Sequence, residues 1–251
     1  MKVRFAAIAA ALTVSGLPAL AAADAPPIRH LVYSFTYGAQ QSVSSRDQAA
    51  EGTDSSGGLA GGMSSGISHY GGNLGDKGTM TVDVLREQPD KGLVVVVAED
   101  AEHTRKAPPA TCVVYGNTNV ICDPNKTVNP EEYTLLRFLA SNFVDPNVLD
   151  ANKHWGYDTS SGGNALKADY TIEHTDGSMM SITEVRSVKL AGTGAMTTNV
   201  QSKIGYDFGR LVPISISEYV TQRAEGGVAA SSTTIYQTDL KLVSDSMAKG
   251  G

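Results

Sequence analysis

The sequence predicts a mainly β protein. In it, a long-stranded, strongly curled antiparallel sheet, half-barrel or barrel-like, packs around one α-helix at about residues 130–143. Three observations predict this class. Beyond residue 165, apolar and polar residues alternate over segments of about ten residues, which is typical of half-buried strands. The run Leu93–Ala98 is apolar at every position, as in a strand covered on both faces. One strong helical pattern is present, at Asn129–Phe143.

Residues 1–23 have the pattern of a secretory signal peptide. Lys2 and Arg4 precede the apolar run Phe5–Leu17, and Ala21–Ala23 supplies small residues for cleavage. The apolar run is too short to span a bilayer, and no later stretch approaches about 18 consecutive apolar residues. We therefore expect a periplasmic or secreted protein that is not an integral membrane protein.

The charge of the chain bears on its partners. It carries 20 Lys and Arg residues against 26 Asp and Glu residues, a formal net charge of −6 at pH 7. Nucleic acids and anionic membrane surfaces are bound by clustered Lys and Arg side chains. An acidic exported chain is therefore not expected to bind nucleic acid.

The two cysteines, Cys112 and Cys122, flank a hairpin whose loop is centred on Asn117. This spacing places them directly opposite each other, where Cα atoms are about 4.5–5.5 Å apart and within reach of a disulfide. An exported protein keeps such a bond. The sequence therefore predicts a Cys112–Cys122 disulfide.

Residues 24–251 are expected to form a single β-rich domain that begins with a strand at about Arg29–Gln40. A flexible Gly/Ser-rich loop follows at about residues 41–78, because this stretch has too little apolar surface to offset the cost of ordering it. Order returns near Thr79, and the turn Gln88–Gly92 leads into Leu93–Ala98. The second face of that apolar run needs a cover, and the helix is the best candidate.

The helix has clear signals at its start. Asn129 is a suitable N-cap, Pro130 suits the first helical position, and Glu132 stands where a capping box needs it. Its apolar stripe is much wider than a surface helix needs, which predicts burial on most sides. The sequence leaves three residues of the helix solvated, namely Arg137, Ser141 and Asn142.

The remaining chain is expected to form a polar region at residues 147–164 and then a series of long antiparallel strands. The first two, at about 168–173 and 181–190, are joined by the tight-turn signal Thr175–Ser178. Further alternating segments follow at about 196–208, 212–221 and 229–243. Their inner faces are apolar and their outer faces polar, as in a curled antiparallel sheet.

The sequence contains only weak signals for catalytic residues. Gly62–Gly66 fits G-x-S-x-G around Ser64, but a nucleophile elbow needs a preceding strand and a following helix, and the flanks here are Gly and Ser. The five histidines lack the spacing of metal ligands. The carboxylate pairs Glu99–Asp100 and Glu131–Glu132 are explained as a strand end and a helix start. We therefore expect no catalytic residue, metal or cofactor.

Three functions are compatible with these patterns. The favoured one is an exported non-catalytic binding protein that holds a lipid or other apolar ligand between a concave sheet and the helix. The expected ligand-binding residues are Leu135, Leu136, Phe138, Leu139, Phe143, Met196, Ile204 and Tyr206. The second is a structural or surface-interaction protein with a solid core. The third and least favoured is a secreted serine hydrolase that uses Ser64.

The expected architecture, one helix held against a curled, long-stranded antiparallel sheet in an exported protein, resembles the half-barrel carriers of lipoproteins and lipids. The resemblance concerns architecture alone, and it implies an apolar ligand between helix and sheet.

Overall fold

The computed structural model describes residues 26–45, 74–103, 107–140, 142–144, 153–192, 195–225 and 230–249. The strands in this part of the chain are β1 (Arg29–Ser45), β2 (Leu74–Glu87), β3 (Leu93–Ala101), β4 (Ala110–Val114), β5 (Val120–Cys122), β6 (His154–Ser161), β7 (Asn164–Asp176), β8 (Met179–Leu190), β9 (Met196–Asp207), β10 (Val212–Glu225) and β11 (Ala230–Asp245). The helix α1 is Pro130–Leu136, and a short 3-10 helix covers Ser246–Lys249.

All eleven strands belong to one antiparallel sheet, in the order β5-β4-β3-β2-β1-β11-β10-β9-β8-β7-β6. Neighbouring strands follow one another along the chain except at the centre, where β1 pairs with β11. The sheet is not closed, and its edges are β5 and β6. The predicted fold class, a half-barrel-like antiparallel sheet with one helix, is confirmed.

The curl of the sheet brings its two edges towards each other. The hydroxyl of Tyr157 in β6 donates to the backbone oxygen of Gly116, in the loop between β4 and β5, at 3.2 Å. The next strand, β7, reaches the same loop, since Tyr170 Oη lies 3.4 Å from Thr118 Oγ1. This loop therefore bridges the gap between the edge strands at one end of the half-barrel.

The register lines up apolar side chains in rows across the inner face. One row runs through directly paired residues of five neighbouring strands, all of them buried: Phe35, Leu240, Ile216, Ile204 and Ile182. Residues that alternate with them point to the outer face. The hydrophobic core thus lies on the concave side of the sheet.

The apolar run in β3 lies in the sheet interior, between β2 and β4. Val95 and Val97 belong to the same core cluster as Leu135 of α1. On the opposite face Val94 is fully buried, whereas Val96 stays partly exposed. On this second face, the predicted burial of the strand is therefore complete at Val94 and incomplete at Val96. The helix itself packs mainly against β10 and β11.

The helix is shorter than the predicted residues 130–143 and ends at Leu136. Its start is as expected, since the backbone N–H of Asn129 donates to Glu132 Oε2 at 2.8 Å. Beyond Leu136 the backbone continues in single turns closed by bonds to the third preceding residue, such as Phe138 to Leu135 and Phe143 to Ala140. The segment is apolar on nearly all sides, and these turns aim its side chains into the core in several directions.

The polar region expected at residues 147–164 contains a strand that the sequence interpretation missed. Residues His154–Ser161 form β6, and Trp155 is buried and stacks on Tyr170 with ring centroids 5.1 Å apart. The inward positions of β6 are Trp155, Tyr157 and Thr159, and the polar residues between them hid the alternation.

The disulfide between Cys112 and Cys122 is confirmed, with the two residues directly paired across β4 and β5. The predicted signal peptide, Ser64 and the segment 46–73 lie outside the described residues. Strands β1 and β2 extend into both ends of the predicted loop 41–78, to Ser45 and from Leu74. Within the described ranges, no helix is long and apolar enough to cross a membrane.

Candidate functional site

A cleft of about 290 Å³ lies between α1 and the inner face of β8, β9, β10 and β11; we call it the inner cleft. On the helix side it is lined by Pro130, Tyr133, Thr134 and Arg137. The apolar part of the sheet side is formed by Val188, Val200, Val220 and Tyr236, beside Arg186. Its volume is at the lower end of the range of about 300–1,000 Å³ typical of small-molecule sites.

The inner cleft exists because these strands are longer than their cover. Beyond α1, inward-facing residues such as Val188, Thr198 and Val220 remain only partly buried. They follow the same alternation as the core residues, so they face the concave side and not the outer surface. The concave face therefore continues past the core as an apolar wall.

A buried ion cluster forms the floor of the inner cleft. Arg137, only 2% exposed, reaches two glutamates on different strands, Glu184 of β8 and Glu218 of β10. Its Nη1 donates to Glu184 Oε1 at 2.6 Å, and its Nη2 donates to Glu218 Oε2. One guanidinium thus joins the segment after α1 to two strands of the sheet.

Neutral side chains complete the cluster. Ser202 of β9 lies between the two glutamates, with its Oγ 2.7 Å from Glu184 Oε2 and 3.0 Å from Glu218 Oε2. Thr134 of α1 lies 2.7 Å from Glu218 Oε1, and Tyr170 donates to Glu184 Oε1 at 2.9 Å. The carboxylates are therefore held by hydrogen bonds from four elements, which makes the floor rigid.

The electrostatics of the cluster favour its charged form. Burial opposes ionisation of Glu184, but the Arg137 charge and hydrogen bonds from Ser202, Arg137 and Tyr170 outweigh it and hold its pKa below the ordinary value. Burial also works against the Arg137 charge, yet Glu184 and Glu218 raise the pKa of its guanidinium. The cluster thus sets two carboxyl groups against one guanidinium.

The prediction that Arg137 is solvated is wrong. The pattern along the helix cannot show its partners, which lie 47 and 81 positions away in the chain. A signal for the cluster does exist in the strands. Glu184 and Glu218 occupy the inward positions that follow Ile182 and Ile216, where alternation demands apolar residues. Two acids at inward positions of the two long strands that flank β9 imply a buried cation, and Arg137 is that cation.

A second group of acids lies at the start of α1. Glu99 of β3, Glu131 and Glu132 are all buried, and the Glu99 and Glu131 carboxyls share a hydrogen bond. Burial, followed by the negative charge of Glu131, raises the pKa of Glu99 to about 8. Burial also raises the pKa of both Glu131 and Glu132. Glu99 is therefore protonated at neutral pH and donates to Glu131.

The residues predicted to bind a ligand lie mostly in the packed core. Seven of them belong to the core cluster: Leu135, Leu136, Phe138, Leu139, Phe143, Ile204 and Tyr206. Phe143 makes edge-to-face contacts with Phe138, Trp155, Tyr170 and Tyr206 at centroid distances of 5.1–5.7 Å. Met196 is partly exposed on β9. None of the eight lines the inner cleft, and a ligand contact at these residues stays a prediction.

Surface histidines pair with aspartates, as in His30 with Asp83 at 2.6 Å and His154 with Asp169 at 3.5 Å. Among the described residues no group of three or more His, Cys, Asp or Glu side chains is arranged to hold a metal ion.

No protein-family model matches the chain, and no curated protein matches it. Five solved chains match in structure. One of them comes from a structure titled "Lipid-protein interactions in lipovitellin", with a TM-score of 0.44 and 8% sequence identity. The match covers 87% of this chain and 25% of that one, so this chain spans about a quarter of that protein's length. At this level the likeness supports no inference about the chain.

Replacing Arg137 with Met should lower the free energy of unfolding by about 3–5 kcal/mol, because two buried carboxylates lose their counter-charge. Urea denaturation measures this. Arg223→Met, on the exposed outer side of β10, is the matched control and should change stability by less than about 0.5 kcal/mol. Adding Glu184→Gln and Glu218→Gln to the Arg137 variant should restore part of the loss. A loss below about 1 kcal/mol for Arg137→Met would refute the buried cluster.

The raised pKa of Glu99 predicts a pH dependence of stability. Between the ordinary value of 4.5 and about 8 the folded state keeps a proton that the unfolded state releases, so stability falls as pH rises through this window. Glu99→Gln should reduce the fall between pH 5 and 8 by about 1–2 kcal/mol, allowing for solvent screening. Urea denaturation at a series of pH values measures it.

The control for that experiment is Glu102→Gln, because Glu102 is exposed and pairs with Lys77 on the surface. It should leave the pH profile unchanged. Identical profiles for the wild type and Glu99→Gln would contradict a protonated Glu99.

Proposed function

We propose that this chain is an exported, non-catalytic binding protein whose inner cleft holds the apolar part of a lipid or similar small molecule. The observation that carries the proposal is the apolar inner face of β8–β11, which extends past α1 without a cover. Water contact at such a wall is unfavourable by about 25 cal/mol per Å² of apolar surface, and a ligand that covers it gains that free energy.

The geometry of the inner cleft suits a small ligand. Its sheet side includes the aliphatic side chains of Val188, Val200 and Val220 and the ring of Tyr236, with polar side chains such as Thr198 and Gln222 beside them. Tyr236 stacks on Tyr37 at a centroid distance of 6.2 Å. Its helix side presents Tyr133, which is 38% exposed. The Arg137 cluster anchors the segment that follows α1, so the cleft is preformed and little ordering is needed when a ligand binds.

Export is part of the proposal. The confirmed Cys112–Cys122 bond suits an oxidising compartment, and the expected signal peptide at residues 1–23 would deliver the chain there. A periplasm or the cell exterior contains lipids released from membranes, and a carrier there needs an apolar site shielded from water.

The packed core between the helix and the sheet favours a second function, a structural or surface-interaction protein. Val185 and Tyr219, which are 53% and 46% exposed on the outer face, are candidate contacts for a protein partner. The two functions differ in one measurable respect, since only the first needs a ligand in the inner cleft.

A tryptophan placed in the inner cleft should block ligand binding. Thr198→Trp fills the cleft from β9, whereas Asn199→Trp places the same ring on the outer face of the same strand. We expect titration with the neutral fluorophore Nile red to show binding by the wild type and by Asn199→Trp, and a loss of about tenfold or more for Thr198→Trp.

Lipid extraction and mass spectrometry of the protein purified from its host supply the second arm. The wild type should carry a bound amphiphile that Thr198→Trp lacks. Equal binding of Nile red by all three proteins would place the apolar site elsewhere. Absence of binding by the wild type, together with no extracted lipid, would leave the surface-interaction function.

A further inference from the structure

Arg186 occupies an unusual place in the inner cleft. It lies on β8, two residues after Glu184, and lines the cleft. Its Nε is buried and has no hydrogen-bond partner among the described residues. A buried donor without an acceptor costs about 1–3 kcal/mol, more when the group is charged. Arg186 also makes no side-chain hydrogen bond or ion pair with any of the described residues, so the part of its guanidinium that lines the cleft is available to an anion from outside the chain.

The acceptors nearest in the fold are already engaged. Glu218 faces the cleft but is bound by Arg137, Thr134 and Ser202. Glu184 is bound by Arg137, Tyr170 and Ser202. Arg186 makes no ion pair with either glutamate.

The register places Arg186 at one end of a row that crosses four strands. Arg186 pairs with Val200 of β9, Val200 pairs with Val220 of β10, and Val220 pairs with Tyr236 of β11. Neighbouring strands are about 4.8 Å apart, so the row extends about 14 Å from a cation to an aromatic ring. It is polar at one end and apolar along the rest, which is the pattern of an amphiphile.

We propose that the ligand of the inner cleft is a single-chain amphiphile with a monoanionic carboxylate head, that Arg186 binds the head, and that the chain lies along Val200, Val220 and Tyr236. This inference rests on the proposed function and adds the chemistry of the ligand. The planar guanidinium matches a carboxylate.

Two features select this ligand over related ones. A cleft of about 290 Å³ suits one alkyl chain better than the two chains of a membrane lipid. A dianionic phosphate head would bring two negative charges to a cleft that offers one unpaired arginine, because Arg137 is already bound to Glu184 and Glu218. A carboxylate brings one negative charge, which Arg186 matches.

Binding of four ligands, each with a linear chain of twelve carbons, tests the head group on the intact protein. The probes are dodecanoate, dodecyl phosphate, dodecanol and dodecyltrimethylammonium, each used to displace Nile red. We expect dodecanoate to bind most tightly to the wild type. Arg186→Met should weaken dodecanoate by about ten- to hundredfold, the value of one charge-assisted hydrogen bond, and change dodecanol by less than about twofold.

The control variant is Arg223→Met, which makes the same substitution on the outer face of β10 and should leave all four affinities unchanged. Arg186→Lys should retain part of the preference for dodecanoate. Thermal unfolding of each variant checks the fold, and the comparison of head groups on the wild type needs no variant.

Each outcome decides a separate point. Tighter binding of dodecyl phosphate or dodecyltrimethylammonium than of dodecanoate by the wild type overturns the monoanionic head. Equal loss of dodecanoate and dodecanol in Arg186→Met means that Arg186 only balances the charge of the cluster, and this too overturns the inference. In both cases the apolar site stands. Failure of every dodecyl ligand to displace Nile red from the wild type removes the proposed function as well.

Discussion

The bridge from Arg137 to Glu184 and Glu218 is the interaction on which the rest of the structure depends. Arg137 follows α1, whereas its two partners lie on the inner face of β8 and β10. Two carboxylates on the concave face are strongly unfavourable without a buried cation. The segment after the helix must therefore pack onto the concave face at this point. Its position divides that face into the hydrophobic core on one side and the inner cleft on the other.

The bridge also accounts for where the helix ends. In a regular helix over residues 130–143, the helical geometry would fix the directions of Arg137, Phe138 and Phe143 relative to one another. The tighter turns that begin after Leu136 let Arg137 enter the polar cluster while Phe143 meets the rings of Trp155, Tyr170 and Tyr206. Arg137 thereby reaches its ionic partners and Phe143 its aromatic contacts, while the segment loses the regular backbone hydrogen bonds of an α-helix.

Local patterns were sufficient to predict the strands other than β6, the curl of the sheet, the disulfide and the start of α1. Alternation of apolar and polar residues indicates that one face of a strand is buried, and the spacing of Cys112 and Cys122 indicates that they pair within one hairpin. The end of the helix, the burial of Arg137 and the ligand wall depend on contacts between distant segments. Trp155 in β6 was missed for a related reason, because its partner Tyr170 lies on another strand and the polar neighbours concealed its inward position.

The inner cleft is the outcome of a mismatch in length between the strands and their cover. Alternation along β8–β11 is interrupted at Glu184, Glu218 and Arg186 and resumes at Val188 and Val220. The sequence thus indicates that the residues past α1 face inward but does not show where the cover stops. The row of Ile and Leu in the core is followed by the row that carries Glu184, Ser202 and Glu218. The next inward row is that of Arg186, Val200, Val220 and Tyr236, which forms the wall of the cleft. A charged end and an apolar run within one row give the cleft its polarity.

Paramagnetic NMR of valine methyl groups tests the central claim, that a ligand chain occupies the inner cleft, most directly. A nitroxide-labelled dodecanoate is added to the protein, and line broadening is measured at each valine. Our account predicts the strongest broadening at Val188, Val200 and Val220, which face the cleft, and weaker broadening at Val185 and Val243, which are exposed on the outer face and separated from the ligand by the sheet. Broadening confined to Val185 and Val243, or none at all, would contradict it.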